Sequence, residues 1–423
     1  MRFVYIVLLL CNTLSYSQTY TVASLDFTGL KKTKASYIRK ITRTKPQQLL
    51  DSVRIEADIR RLKQLPFISY ASYTVETNTA TQKAKVTYDL KENFTIIPAV
   101  SIWTSDSDEF AYRLGLFEFN GLGRNITIGG FGQQDIFFSY GFRFKAPNLF
   151  GRRLGLALNY QDFSSEEPVF FNNTIAEYKY QNRSSEVSLL YQLNFTNIVE
   201  VGINYFNEKY EYLRGATDPA IPQNLDVDKI QYKFLYTYNS LEYNYQYLEG
   251  WKNILTVQYV HSADPGQEVL NDFVIAWNDI LYFKRIGTTG NFASRLRLGI
   301  ATNDETPFAP FSVDNNLNIR GVGNTIDRGT AAIVLNTEYR HTLFEKKWFV
   351  LQGNLFIDSG TWRNPGGELA EDLTDVRNVR VYPGAGIRLI HKKLVNATFR
   401  IDYGYGITEN SSQGIVFGIG QYF

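Results

Sequence analysis

The sequence predicts a small mixed α/β domain followed by an all-β transmembrane barrel of sixteen antiparallel strands. Three observations carry that expectation. From Phe94 to Phe423, segments of about ten residues alternate apolar with small or polar side chains, for example Leu154, Leu156, Leu158 and Tyr160 against Gly155, Ala157, Asn159 and Gln161. Aromatic residues make up 15% of the 423-residue chain, yet mean hydropathy is negative. No run beyond the first residues approaches the roughly 20 apolar residues of a spanning helix. Third, connections between the alternating segments are either tight or long. A greasy face and a wet face on every segment is what a closed, lipid-facing cylinder requires, because in hydrocarbon each backbone N–H and C=O must be paired internally. A soluble sandwich shares the period, but its polar face would hold more Lys, Glu and Thr and fewer Gly.

Residues 1–17 read as a signal peptide: Arg2 is the positive n-region, Phe3 to Leu10 the apolar stretch, and Ser15-Tyr16-Ser17 the cleavage site before Gln18. Leu10, bulky where a small residue is needed, argues against lipid attachment at Cys11. With that segment removed the chain has neither Cys nor Met, so disulfides, thiolate ligands and cysteine nucleophiles are excluded. Residues 18–93 follow a β-α-α-β-β order. Thr21 to Phe27 alternates as a strand and stops at Gly29, and Thr33 to Ile41 reads as a short helix. Ser52 is placed to cap a second helix whose Ile55, Ile59 and Leu62 share a face. Pro66-Phe67 ends it, and Ile68 to Glu76 and Lys83 to Lys91 form a hairpin around a polar turn.

Residues 94–423 divide into strands near 95–104, 109–119, 123–133, 135–146, 152–165, 173–194, 197–210, 227–240, 251–262, 269–284, 289–301, 330–341, 348–360, 379–391, 395–406 and 413–423. The sixth is long enough to conceal an extra hairpin. Tight turns (Asn120 to Leu122, Pro147 to Gly151, Thr196) lie on one side, and long loops (Glu211 to Asp226, Thr302 to Gly329, Thr361 to Asn378) on the other. That is the outer-membrane pattern, and an even strand count returns both ends to one side.

Two short motifs organise the barrel: Ile319-Arg320-Gly321-Val322 in a strand-poor loop, and Phe356-Ile357-Asp358-Ser359-Gly360 on an alternating strand. On that strand Gln352, Asn354, Phe356 and Asp358 share the face away from Leu351, Leu355 and Ile357. A carboxylate there needs a partner, and an arginine folded inward supplies a bidentate, charge-assisted one. The alternative is that Arg320 is a solvated loop charge. Glu338, Arg340, Arg388, Arg400 and Asp402 have the same inward parity, and either extend a network or line a wet lumen.

These motifs carry a resemblance. Residues 18–93 are similar to a polypeptide-transport-associated (POTRA) domain, and the whole mature length resembles the BamA/TpsB superfamily of outer-membrane assembly and secretion barrels, as a short member with one POTRA domain. Ile319, Arg320 and Gly321 match that family's loop-six motif, and Phe356, Asp358 and Gly360 its Phe-x-Asp-x-Gly strand motif. Asn120-Gly121-Leu122-Gly123 and Ala146 to Gly151 look like its first two periplasmic turns. Ile415, Phe417, Ile419 and Phe423 resemble its closing-strand signal, which ends on an aromatic. The resemblance implies an Arg320–Asp358 latch holding loop six inside the barrel. Two departures, Val322 in place of an aromatic and Asp314-Asn315-Asn316 in place of a glycine pair, imply a loop held less firmly. A lone POTRA domain offers few edge strands for clients, which counts against a general assembly factor.

No reaction centre is expected. His261, His341 and His391 are far apart at strand ends, no Gly-x-Ser-x-Gly elbow exists, and Gly321-Val322-Gly323 lacks a phosphate loop's lysine and helix. The acidic run Glu368 to Asp375 lacks EF-hand spacing, so no metal and no cofactor is expected. Lys and Arg (44) nearly balance Asp and Glu (42), which leaves no footprint for nucleic acid. The expectation is a non-enzymatic protein of the bacterial outer membrane with its POTRA domain in the periplasm. It would meet outer-membrane lipids, unfolded or exported polypeptides, and periplasmic or lipoprotein accessory subunits. It would insert or translocate polypeptides, or scaffold an envelope complex without opening, or serve as a secretion pore for one dedicated partner.

Overall fold

The structure is a computed structural model, which describes residues 19–104, 110–171, 174–219, 221–263, 272–305, 310–313, 318–322, 327–394, 397–409 and 411–423. The expected signal peptide and Asp314-Asn315-Asn316 lie outside the described residues. The N-terminal domain consists of β1 (Thr21–Thr28), α1 (Ala35–Ile41), α2 (Ser52–Lys63), β2 (Ile68–Asn78) and β3 (Lys83–Glu92). Its sheet order is β1-β3-β2, with β1 parallel and β2 antiparallel to β3. Ile38, Ile41, Ile55, Leu62, Phe67, Val86 and Leu90 form its core, each at most 1% exposed. Asp51 rather than Ser52 caps α2, its carboxylate accepting from the Arg54 amide. An aspartate satisfies an orphan helix donor as well as a serine does, which is why sequence alone could not separate the two.

The ring runs through β4 (Ile96–Thr104), β5 (Phe110–Gly121), β6 (Ile126–Gln134), β7 (Phe138–Ala146), β8 (Leu154–Phe171), β9 (Thr174–Gln192), β10 (Asn197–Gly215) and β11 (Asn224–Asn239). The short β12 (Glu242–Asn244) precedes β13 (Tyr247–Ser262), β14 (Phe273–Ile286) and β15 (Gly290–Ala301). A two-stranded hairpin, β16 (Phe311–Val313) and β17 (Asp327–Gly329), belongs to the loop before β18 (Ala331–Lys346). The ring continues through β19 (Phe349–Arg363), β20 (Arg380–His391), β21 (Thr398–Tyr405) and β22 (Gln413–Ile419), with α3 (Leu369–Thr374) between β19 and β20. Leaving aside β12, β16 and β17, sixteen antiparallel strands close the barrel, the number expected, and the sixth is one uninterrupted strand.

The barrel is built inside out. Large apolar residues such as Leu116 (58% exposed), Leu189, Val201, Ile203, Leu355, Ile357 and Phe417 cover the outer wall. Charged and amide side chains fill the interior, Arg320, Arg340, Asp358, Arg388 and Asp402 each being fully buried. Only a hydrocarbon surround makes the outer wall stable, since exposed apolar surface in water costs about 25 cal/mol per Å². The ring is uneven. Registers of seven to eighteen residue pairs join neighbouring strands, from β20–β21 to β8–β9; β22 is hydrogen-bonded to β4 and so closes the ring, but among the described residues these two meet over a smaller stretch than any other wall neighbours. β22 is also the shortest strand of the wall, and Gly420, at φ +97°, turns the chain away after it.

Candidate functional site

The loop between β15 and β18 descends into the lumen and presents residues 318–322 to the inner faces of β18 to β21. Inward parity on β19 puts Phe356, Asp358 and Gly360 in a row, and each meets one part of this segment. The Arg320 guanidinium lies over the Phe356 ring, 3.6 Å from its centroid. Asp358 accepts from Arg320 Nε (2.8 Å), from its terminal Nη2 (3.0 Å) and from its backbone amide (3.0 Å). Gly360 leaves room for Ile319, whose Cδ1 would sit 3.0 Å from a methyl placed there. The spacing of that motif thus follows from three consecutive inward positions of one strand.

Glu338 on β18 is the hub of a wider network. It accepts from Arg320 Nη1 (2.7 Å), Arg388 Nη2 (3.0 Å) and Arg340 Nε. Asp402 on β21 accepts from Arg400 Nη1 (3.1 Å) and the Asn354 amide (3.1 Å), and lies 3.7 Å from Arg320 Nη1 and 3.5 Å from Arg388 Nη1. Four guanidinium groups therefore surround three carboxylates in a region closed to solvent. Tyr422 stacks on Arg320 and Arg400 at 4.5 and 4.8 Å, which offsets part of the excess positive charge.

The loop is fixed as much by its backbone as by its charge. Gly321 adopts φ +96°, and a Cβ there would meet the Gly404 backbone at 2.6 Å. A Cβ on Gly404 would in turn lie 2.1 Å from the Arg320 carbonyl oxygen. Two glycines 83 positions apart thus let the loop cross β21 in direct backbone contact. Ser412 Oγ donates to the carbonyls of Val322 (2.8 Å) and Gly321 (3.2 Å). Val322 itself is buried with Ile319, Val334, Trp362 and Tyr382. Val322, standing where the resemblance leads one to expect an aromatic, fills a pocket walled by Trp362 and Tyr382.

The opposite mouth is narrowed by parts the sequence reading missed. Between β11 and β13 the chain folds under the lumen. Tyr247 donates to Thr342 Oγ1 (2.9 Å), and Asn291 exchanges two 2.9 Å hydrogen bonds with the Leu248 backbone. Of the residues expected to form the closing signal, Ile415, Phe417 and Ile419 face outward on β22. Phe423 does not continue that strand. Beyond Gly420 it enters the lumen, packs with Phe283 and Leu241, and lies beneath Arg295 and Arg340. The histidines stay apart: His261 meets Asp272 at 2.7 Å, while His341 and His391 lie near the N-terminal-domain end of the wall.

The N-terminal domain docks across that same end. Tyr37 donates to Asn148 Oδ1 (2.9 Å), with burial raising its hydroxyl pKa to about 12, so it stays a donor. The Lys34 amide donates to the Gly123 carbonyl (3.0 Å), and Arg61 to Gln192 Oε1 (2.7 Å). Arg43 stacks 3.7 Å from the Phe195 ring centroid, and Gln64 donates to the Leu241 carbonyl (3.2 Å). One small domain therefore touches four consecutive turns. Glu92, at the junction, accepts from the amides of Lys32 and Thr33, both at 2.9 Å. Burial alone would raise its carboxyl pKa, but these donors and the Thr33 hydroxyl outweigh that and hold it below the ordinary carboxylate value.

Comparison with known proteins agrees with this architecture. The POTRA family model, described as a surface antigen variable number repeat, matches residues 20–93, and the model of the Omp85 superfamily domain matches residues 118–423. Among solved structures, the chain is similar to CdiB from Acinetobacter baumannii, with TM-score 0.61 and 11% identity over 96% of this chain and 74% of that one. It is similar to CdiB from Escherichia coli, with TM-score 0.53 and 10% identity over 96% and 91%. BamA from Haemophilus ducreyi lacking POTRA domains 1–3 gives TM-score 0.52 and 15% identity over 94% and 83%. At such identities the likeness is one of fold.

Proposed function

The chain belongs to the Omp85 superfamily, as a member carrying one POTRA domain ahead of a sixteen-stranded barrel, and from that we propose that it inserts proteins into the outer membrane or passes polypeptides across it. The barrel lies in the outer membrane and the POTRA domain in the periplasm, where it meets clients first. The observation that carries the finer reading is the junction of β22 with β4. Among the described residues it is the slightest contact between any two neighbouring wall strands, and β22 ends at a left-handed glycine. A strand edge whose N–H and C=O groups are weakly paired can hydrogen-bond an incoming strand. The lumen offers a poorer route, since loop six blocks it from one side and the segment between β11 and β13, with the residues after Gly420, from the other. Insertion through the seam is therefore favoured over conduction through the pore and over a scaffold that never opens.

The test is a cross-link. Cys11 is the chain's lone cysteine, so cysteine pairs placed along β4 and β22 form a defined disulfide across the seam. Locking the seam should abolish assembly or export of clients, with recovery on reduction. Full activity of the locked protein would remove seam opening from the mechanism.

A further inference from the structure

We propose that the periplasmic foot of β4 and β5 carries a binding site for the headgroup of an anionic phospholipid, formed jointly by the POTRA domain and the first periplasmic turn. The proposal rests on the reading that the barrel spans a membrane and goes beyond it. Outward parity on β5 runs through Leu114 and Leu116, 54% and 58% exposed, to Glu118. Two residues of strand are about 6.6 Å, so Glu118 marks the level just below the apolar band, where headgroups lie. Lys32 of the POTRA domain reaches out to this carboxylate and to Thr95 Oγ1. The wall therefore meets the domain on its lipid side.

Beside that contact is a recess of about 450 Å³ lined by Lys32, Lys34, Leu122, Gly123 and Arg124. It is a built feature. Leu122, Gly123 and Asn125 all adopt positive φ, and a Cβ on Gly123 would strike the Lys32 carbonyl oxygen at 2.3 Å. The turn is thereby pressed against the domain, with Arg124 beside Lys34. Lys32 is neutralised by Glu118, but among the described residues neither Lys34 nor Arg124 has a carboxylate within 4 Å, and both are exposed. The apolar part of the occupant is also provided for. Leu122 is 76% exposed and Phe94, at the foot of β4, 58%, so apolar surface lies beside the charged recess.

Charge along the chain points the same way. Residues 20–92 hold fourteen Lys and Arg against seven Asp and Glu, while the whole chain is only +2. A domain with that surplus, held against a bilayer surface, is drawn to anionic lipid, and each nearby cation contributes about fivefold in affinity.

The test uses the full-length protein purified in a neutral detergent, with native mass spectrometry after addition of phosphatidylglycerol or phosphatidylcholine of matched chains. The expected result is preferential retention of phosphatidylglycerol. That preference should fall on the order of tenfold in Lys34→Gln/Arg124→Gln and persist in the charge-matched Lys83→Gln/Lys85→Gln. Resistance of the unheated protein to unfolding in SDS reports that the variants are folded. A Leu122→Ser variant, which leaves every charge in place, should lose retention of the longer acyl chains first. Equal retention of the two lipids, an undiminished preference in the first variant, or displacement of the lipid by millimolar inorganic phosphate would each overturn a lipid headgroup site.

Discussion

Replacing Arg320 by alanine is the perturbation that most directly probes the plug. Counting charge alone, the change should help, because four arginines face three carboxylates. Contact geometry reverses that. Among the described residues, the hydrogen bonds to the Asp358 carboxylate all come from residue 320, two of them from its side chain. Glu338, by contrast, keeps Arg340 and Arg388. The substitution therefore strands one fully buried carboxylate, at a cost of about 3–5 kcal/mol, less to the extent that lumen water reaches it. Arg320→Lys keeps the charge but cannot span both Asp358 oxygens and Glu338, so about 1.5–3 kcal/mol is lost. In Arg320→Ala/Asp358→Ala the stranded charge is gone, and the double variant should cost less than the sum of the singles by about 1–3 kcal/mol. The assay is equilibrium urea unfolding in lipid vesicles, checked by the temperature at which the compact SDS-resistant band disappears. Midpoints for Arg320→Ala and Arg320→Lys that both match the parent, or strict additivity in the double variant, would refute the latch.

Three further outcomes follow from the same geometry. Gly404→Ala places a methyl 2.1 Å from the Arg320 carbonyl oxygen, so loop six must lift from β21, and the protein reconstituted in planar bilayers should conduct ions more readily than the parent; unchanged conductance would show that the crossing tolerates a side chain. Glu338→Gln leaves three guanidinium groups facing a neutral amide and should destabilise the barrel more than Asp402→Asn, whose carboxylate accepts one arginine hydrogen bond; the reverse order in urea unfolding would displace Glu338 as the hub. Because the folded-state pKa of Glu92 is depressed, its contribution is complete above its unfolded value and is lost as pH falls through the folded value. Stability measured between pH 6 and pH 3, a range bracketing the ordinary glutamate value of about 4.3, should therefore fall more steeply for the parent than for Glu92→Gln, and parallel curves would contradict this.

The wall was legible in the sequence because lipid on one side and water on the other impose a period of two that no soluble core disguises. Parity also places Asp358, Glu338, Arg388 and Asp402 on the inner face, since a charge on a spanning strand has nowhere else to go. The backbone contact between Gly321 and Gly404 was hidden. Gly404 shares the inward face of β21 with Thr398, Arg400 and Asp402, and nothing local distinguishes a glycine that fills the lumen from one that admits a crossing chain. The strand ranges leave residues 241–250 as a connection between two wall strands. Its tyrosines suit a turn at a membrane surface equally well, and only long-range partners such as Thr342 and Asn291 draw it inward. Phe423 keeps the parity of Ile415, Phe417 and Ile419 in the sequence, with Gln421 between. The left-handed conformation of Gly420 that takes it off the strand is available to any glycine and commits none.

The chemistry of the plug bears on whether it can move. Loop six is held by one small apolar cluster around Ile319 and Val322, and otherwise by ion pairs, hydrogen bonds and stacked rings. A plug seated on a broad apolar surface would, on leaving, expose that surface to lumen water at about 25 cal/mol per Å². The carboxylates and guanidinium groups here would instead regain hydration as they separate, recovering much of the desolvation cost that burial imposed. The same network discriminates sharply between seated and partly displaced states, because a half-broken arrangement leaves charges dry and unpaired. Displacement should therefore be all-or-none, and high ionic strength should favour it by screening the separated charges. Conductance recordings in rising salt test this directly: discrete steps whose frequency grows with ionic strength would fit the charged latch, whereas a gradual rise no steeper than that of the bulk solution would mean the loop stays seated.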